Sequence, residues 1–373
     1  MHKKSPPLQT LAIFHKNSFS FLVLLLSLCL STPTKAAIYS KLYQPLPALS
    51  ADKLGVIIND SDPLSIKIAN YYQLQRKIPE QNIIHTRFNP NLRTLSVTQF
   101  KQIKQSVDKQ TPKHIQAYAL TWMQTYRVGC MSITTAFAAG YDDSFCARGC
   151  KKTQASPYFN SEKSNPFDAY QWRPTMALAG KNFSDVKALI DRGVSSDYSQ
   201  PQGAAYLLNT SDKARSSRAV LYPQIAKIYT GLWPIKFLQQ DYIENKKDVM
   251  FYFTGKVHVK KIESNQFLPG AVADHLTSTG GILPGGRQMS SVKWLKSGAT
   301  GSYGAVIEPC NFVQKFPNPG IMMQYYLRGN SLIEAYWKSV AWPGQGVFIG
   351  EPLAKPFAHL VSHNLPFKSK AYK

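Results

Sequence analysis

The sequence predicts an α/β protein built on one mainly parallel sheet flanked by helices. Three observations predict it. Short apolar runs of strand length, bounded by Gly or Pro, recur along the chain. Segments with apolar residues at helical spacing lie between them. The junctions carry helix-start residues, such as Asp62-Pro63 and Ser96-x-x-Gln99. Strands alternating with helices favour parallel pairing.

Taken in order, Leu54–Ile58 reads as the first buried strand. Asp62 caps the helix after it, with Pro63 at the first helical position. Leu64, Ile68 and Tyr71 form that helix's apolar face, and Pro79 limits it. Asn82–His85 is a strand, Ser96 opens a helix through Phe100, Ile103 and Val107, and Ile115–Trp122 is a third strand. Met123–Trp172 breaks the rhythm with Gly, Pro, Tyr and three cysteines. A loop this long is usually a functional cover, so residues 123–173 are expected to form a cysteine-stapled flap. Thr175–Ala179, Ala204–Leu208, Ile235–Leu238 and Val249–Phe253 are strands. Ser184–Arg192, stopped by Gly193, and Arg215–Tyr229 are helices. Next come a strand over Gly270–Ala273, a short helix through Val292, Trp294 and Leu295, and a strand over Ala305–Ile307. Two helices, Ile321–Leu327 and Ser331–Val340, and a strand, Val347–Ile349, complete the domain.

The organisation expected is a signal peptide over 1–36, a linker over 37–52, one α/β domain over 53–353, and a frayed basic tail over 354–373. Lys3, Lys4 and Lys16 precede the apolar run Phe19–Leu30, and Ala36 and Ala37 follow it. That is a secretory signal pattern, with cleavage near Ala36, and it implies an exported, periplasmic or secreted protein. The alternative is an uncleaved anchor, for which the run is short. No other stretch is long and apolar enough to span a membrane.

The chain carries 44 Lys+Arg against 21 Asp+Glu, a net charge of +23 that falls to +19 without the four lysines of residues 1–36. The basic residues are dispersed, and no zinc finger, RNA-binding motif or basic helix accompanies them. Nucleic acid is therefore not an expected partner. An anionic envelope surface, or an unknown protein or peptide, is.

Cys130, Cys146, Cys150 and Cys310 follow the signal segment. Four cysteines in an oxidising compartment make two disulfides. That pairing would consume Cys310. A free Cys310 would instead leave one loop cysteine unpaired. No metal site is expected: Cys146-x-x-x-Cys150 has ligand spacing but no histidine in its loop. His359 and His363 have i, i+4 spacing, which chance explains beside Pro356 and Pro366. No cofactor motif is present: the chain has no P-loop, Gly-rich dinucleotide turn or H-E-x-x-H.

The candidate chemistry lies in Phe267–Phe312. Two strand-like runs end in Asp274-His275 and in Glu308-Pro309-Cys310. Thiolate attack by Cys310, with His275 as proton carrier and Asp274 tuning the imidazole, is the catalytic arrangement these types permit. Backbone N–H groups near Gly280 and Gly281 would hold an oxyanion, and Glu308 lies beside the candidate nucleophile. Asp60 and Asp62, at the end of the first strand, are candidates for a cation or a basic group, although a helix cap is the favoured account of them.

Several segments resemble signatures of a family of exported bacterial proteins, conserved hypothetical and once per genome, with no assigned activity. They are Val56–Ser65, Ala69–Tyr72, Arg76-x-Ile-Pro79, Leu268–Ser278, Trp294–Ala299, Glu308–Cys310, Lys315–Pro319, Glu334–Ser339 and Gly350–Leu353. Where that family has Gly-Asp-Pro, this chain has Gly350-Glu351-Pro352. The early strand, the Tyr-Tyr helix and the late Gly-acid-Pro-Leu strand end are more distantly similar to gingipain-type cysteine peptidases. That resemblance implies a caspase-like fold and a His-before-Cys pair. Leu276 stands where such peptidases have Gly, and Pro309 where they have a small or acidic residue. Two functions follow as expectations. One is a non-catalytic or degenerate caspase-like-fold envelope protein that binds a partner or anionic surface. The other is a cysteine-dependent, peptidase-like hydrolase using His275 and Cys310.

Overall fold

The computed structural model describes residues 44–147 and 150–359, which lie in one compact unit spanning Leu42–Lys373. The expected signal segment and His363 lie outside the described residues.

Thirteen strands are described: β1 (Leu54–Asn59), β2 (Ile83–Thr86), β3 (Thr94–Leu95), β4 (Ala117–Leu120), β5 (Arg127–Val128), β6 (Met131–Ser132), β7 (Thr175–Ala177), β8 (Ala204–Leu208), β9 (Ile235–Leu238), β10 (Val249–Gly255), β11 (Phe267–Leu276), β12 (Gly301–Ala305) and β13 (Gly346–Gly350). Ten build the central sheet, in the order β2-β1-β4-β7-β13-β12-β11-β10-β8-β9. β3, β5 and β6 form a small second sheet.

β2, β1, β4 and β7 pair in parallel, as do β12, β11, β10, β8 and β9. β13 joins the two runs. It is antiparallel to β12 from Gly301↔Gly350 to Ala305↔Gly346 and meets β7 at Ile349↔Ala177. That one bridge has a parallel pattern, but a single pair does not set a strand's direction; the connecting segments do. Lys181, just past β7, shares a cleft with Pro284, just past β11. Arg192, farther along the helix after β7, donates to Leu295 O at 2.9 Å and Ala299 O at 2.8 Å, just before β12. Both parallel runs therefore point the same way, and their C-terminal ends share one edge.

Adjacent strand residues pack on opposite faces. Val56 and Ile58 enter one core cluster and Ile57 the other. Helix starts follow their residues. Asp62 Oδ1 accepts from Leu64 N at 2.9 Å, with Pro63 at the first helical position of Pro63–Arg76. Ser96 and Gln99 form a reciprocal capping box on Val97–Gln110.

Four expectations are corrected. The helix expected to stop at Gly193 runs Phe183–Ser196. Gly193 lies inside it because a Cβ there would meet Glu351 Cγ at 2.5 Å. The segment expected as a cysteine-stapled flap is stapled, by Cys130–Cys146, but it also holds β5, β6 and two short helices, Ile133–Ala139 and Pro166–Tyr170. Ser132 caps the first of these, and Ile133, Ala136 and Phe137 are buried against the sheet. The expected linker is anchored where described: Leu46 N donates to Arg328 O and Leu49 N to Glu334 Oε2. The expected frayed tail begins packed, since Ala354, Phe357 and Ala358 are buried. Among the described residues no helix is long and apolar enough to cross a membrane.

Candidate functional site

The strand–helix–strand unit expected around His275 forms as β11, the helix Val292–Lys296 and β12. Its two reactive positions reach the C-terminal edge differently from a working dyad.

His275 is 1% exposed. Trp294 Nε1, which can only donate, points at His275 Nδ1 at 2.9 Å. The ring proton therefore sits on Nε2, which donates to Met289 O at 3.0 Å. Both nitrogens are engaged. Burial holds the imidazole neutral, pushing its pKa down to about 3, with further lowering from Arg218, His258 and Arg215.

Asp274 precedes it, and successive strand side chains point to opposite faces. Asp274 therefore does not orient the imidazole. Its Oδ1 lies 2.5 Å from Arg218 on the other face, and both groups are 1% exposed. Burial raises the Asp274 pKa, and Arg218 pulls it back. Arg218 also donates to Thr254 O at 2.9 Å and Pro317 O at 3.1 Å. Asp274 Oδ2 and the nearby Tyr336 hydroxyl are buried with no hydrogen-bond partner.

Cys310 is bonded to Cys150, and Cys130 to Cys146. The first bond ties the insertion to the segment after β12, and the second staples the insertion internally. In this structure the Cys310 sulfur is thus not a thiol. Cys310 and Asn311 both have left-handed backbone, with φ of 59° and 61°. Glu308 Oε1 accepts from Cys310 N at 2.8 Å, and Asn311 Nδ2 donates to Ala214 O. Glu308 thus holds this turn. Cys130, Asp143 and Cys146 cluster closely enough to suggest metal ligation, but the disulfide occupies both sulfurs.

Gly281 and Gly304 let backbone meet backbone, and a Cβ on Gly280 would press on the Thr277 and His275 side chains. A Cβ on Gly281 would meet Gly304 O at 2.5 Å, and Gly281 N already donates to Ala305 O at 2.8 Å. That N–H is therefore not free to hold an oxyanion. Asp62 is the helix cap described above. Asp60 accepts from His85 Nδ1 at 2.8 Å, with Arg87 at 3.6 Å. β1 lies five strand spacings from β11 in the sheet, roughly 24 Å, so Asp60 and Asp62 do not join the His275 region.

Residue signals distant in sequence do meet at the opposite edge. Arg76 ends its helix, and Glu351 follows β13. Glu351 Oε1 accepts from Tyr72 OH at 2.7 Å and Arg76 Nε at 2.9 Å, and Oε2 accepts from Arg76 NH2. Arg76 NH1 reaches Asp197 at 2.5 Å. Burial alone would lower the Arg76 pKa, but Glu351, Tyr72 and Asp197 together outweigh it and hold it above the ordinary range. Burial lifts the Tyr72 hydroxyl well above its usual value, reinforced by Glu351.

A lysine-lined cleft at the C-terminal edge was not found from sequence. Lys181, Lys293 and Lys296 line about 510 Å3 there. The first is separated from the other two by most of a subdomain of chain, and no local pattern marks the group. The chain was compared with protein-family models, curated proteins and solved structures, and none of them matches it.

Proposed function

We propose that the chain is an exported, caspase-like-fold envelope protein without a catalytic role, which binds a partner or an anionic surface. The observation that carries this reading is the engagement of its reactive groups. Cys310 is bonded to Cys150, and both nitrogens of His275 are held by Trp294 and Met289. A cysteine-dependent hydrolase would need that disulfide opened and that ring freed from a fully packed interior. Two internal disulfides fit an oxidising compartment. The net charge, +19 without residues 1–36, supplies attraction to acidic surfaces.

The test is retention on phosphatidylglycerol vesicles across a salt series. The reading expects retention at low ionic strength that falls as salt screens the charges. No retention, or retention insensitive to salt, contradicts the anionic-surface part of the proposal.

A further inference from the structure

The cleft of about 510 Å3 opens where β7 and β11 end. This is the edge at which open α/β sheets place ligands, and the volume suits a small organic molecule. Its charges are unequal. Lys293 is paired with Glu263 at 3.1 Å. Lys181 and Lys296 have no ion pair among the described residues, and they face one further carboxylate, Asp185. The floor is apolar and fixed. Met289 is 6% exposed and Val292 5%. Met289 is held at both backbone ends, its carbonyl by His275 and its N–H by Val257 O at 3.0 Å. The mouth is unobstructed at Gly285, where φ is +115° and a Cβ would meet nothing within 4 Å.

We propose that this cleft binds a small amphiphilic anion. Its phosphate or carboxylate head sits between Lys181 and Lys296, and its apolar part rests on Met289 and Val292. Asp185 on the same wall disfavours a polyanion and favours a head of one or two charges. The proposal rests on the anion-binding reading above and narrows it to one site. A lipid headgroup and a free organic anion share this chemistry.

The test titrates the full chain with hexyl phosphate and with inorganic phosphate, and repeats the vesicle assay. It compares wild type, Lys181→Gln/Lys296→Gln, and a control pair, Lys101→Gln/Lys109→Gln, on the exposed face of Val97–Gln110. Circular dichroism and thermal melts confirm that each variant folds. The cleft variant should bind hexyl phosphate at least tenfold more weakly while the control matches wild type, and inorganic phosphate should bind wild type more weakly than hexyl phosphate. Reduced vesicle retention in the cleft variant alone assigns a lipid source; unchanged retention with weakened hexyl phosphate binding assigns a soluble one. Equal weakening in both variants, unaltered hexyl phosphate affinity in the cleft variant, or no hexyl phosphate binding by wild type overturns the cleft. In those cases, salt-sensitive vesicle retention by wild type leaves the broader reading standing, and its loss removes both.

Discussion

The two edges of the central sheet are closed by different physics. At the edge where the strands begin, closure is electrostatic. Glu351, with no side-chain exposure, takes donors from Tyr72 and Arg76 on both carboxylate oxygens, and Asp197 completes the arginine. At the edge where most strands end, closure combines a disulfide, an uncharged His275, glycines packed backbone to backbone and one buried ion pair, Arg218–Asp274. Near that edge the buried carboxylate, Asp274, keeps one oxygen without a donor. The saturated edge reads as a strut. The other keeps Lys181 and Lys296 beside a cleft with no ion pair among the described residues.

The comparison can be broken or sharpened by substitution. The largest effect is expected at the covalent edge. Replacing Cys150 and Cys310 together by Ser opens a bond of sequence separation 160, about 5 kcal/mol on the chain-entropy model. The Cys130/Cys146 pair, of separation 16, is expected to cost about 3 kcal/mol. Urea midpoints read both, and an equal or reversed order would detach stability from loop span. At the electrostatic edge, Glu351→Ala leaves buried Arg76 with Asp197 alone opposite it and takes the acceptor from Tyr72 OH, and is expected to cost about 3 kcal/mol. Gly193→Ala pushes a Cβ against Glu351 and should cost about 1–3 kcal/mol. Little further loss from Gly193→Ala in the Glu351→Ala background would place its effect at that contact.

A pH dependence is expected at His275. The folded ring takes a proton only near pH 3, against 6.5 for the ordinary side chain. Between those values the unfolded state binds more protons, so stability rises with pH across that window. It is lost as pH falls from about 6.5 towards 3, by about 1.4 kcal/mol per unit. His275→Gln should flatten that limb of a stability–pH curve measured by denaturant melts. An unchanged limb would place the titration elsewhere.

Much of this frame was legible in the sequence, because caps and apolar runs are local signals. Asp62-Pro63 and Ser96-x-x-Gln99 start helices as read, and Ala204–Leu208 and Ile235–Leu238 are strands with the expected bounds. Misreadings arose where a distant residue overrides the local rule. Gly193 resembles a helix stop until Glu351 is placed against it. Ala305–Ile307 reads as a strand, yet the strand ends at Ala305 and Ile307 is exposed, because the chain turns there towards Cys310. The grouping of Asp274 with His275 neglected strand alternation, which the sequence alone supplies. The lysine cleft was not legible, since only the folded sheet brings residue 181 beside residues 293 and 296.

The central claim is that Cys310 is held in a structural bond rather than kept as a nucleophile. The most direct measurement is a non-reducing digest of the protein, alkylated during denaturation and mapped by mass spectrometry. The account predicts Cys150–Cys310 and Cys130–Cys146 peptides and no alkylated cysteine among these four. An alkylated Cys310, with Cys150 free or joined elsewhere, would contradict it.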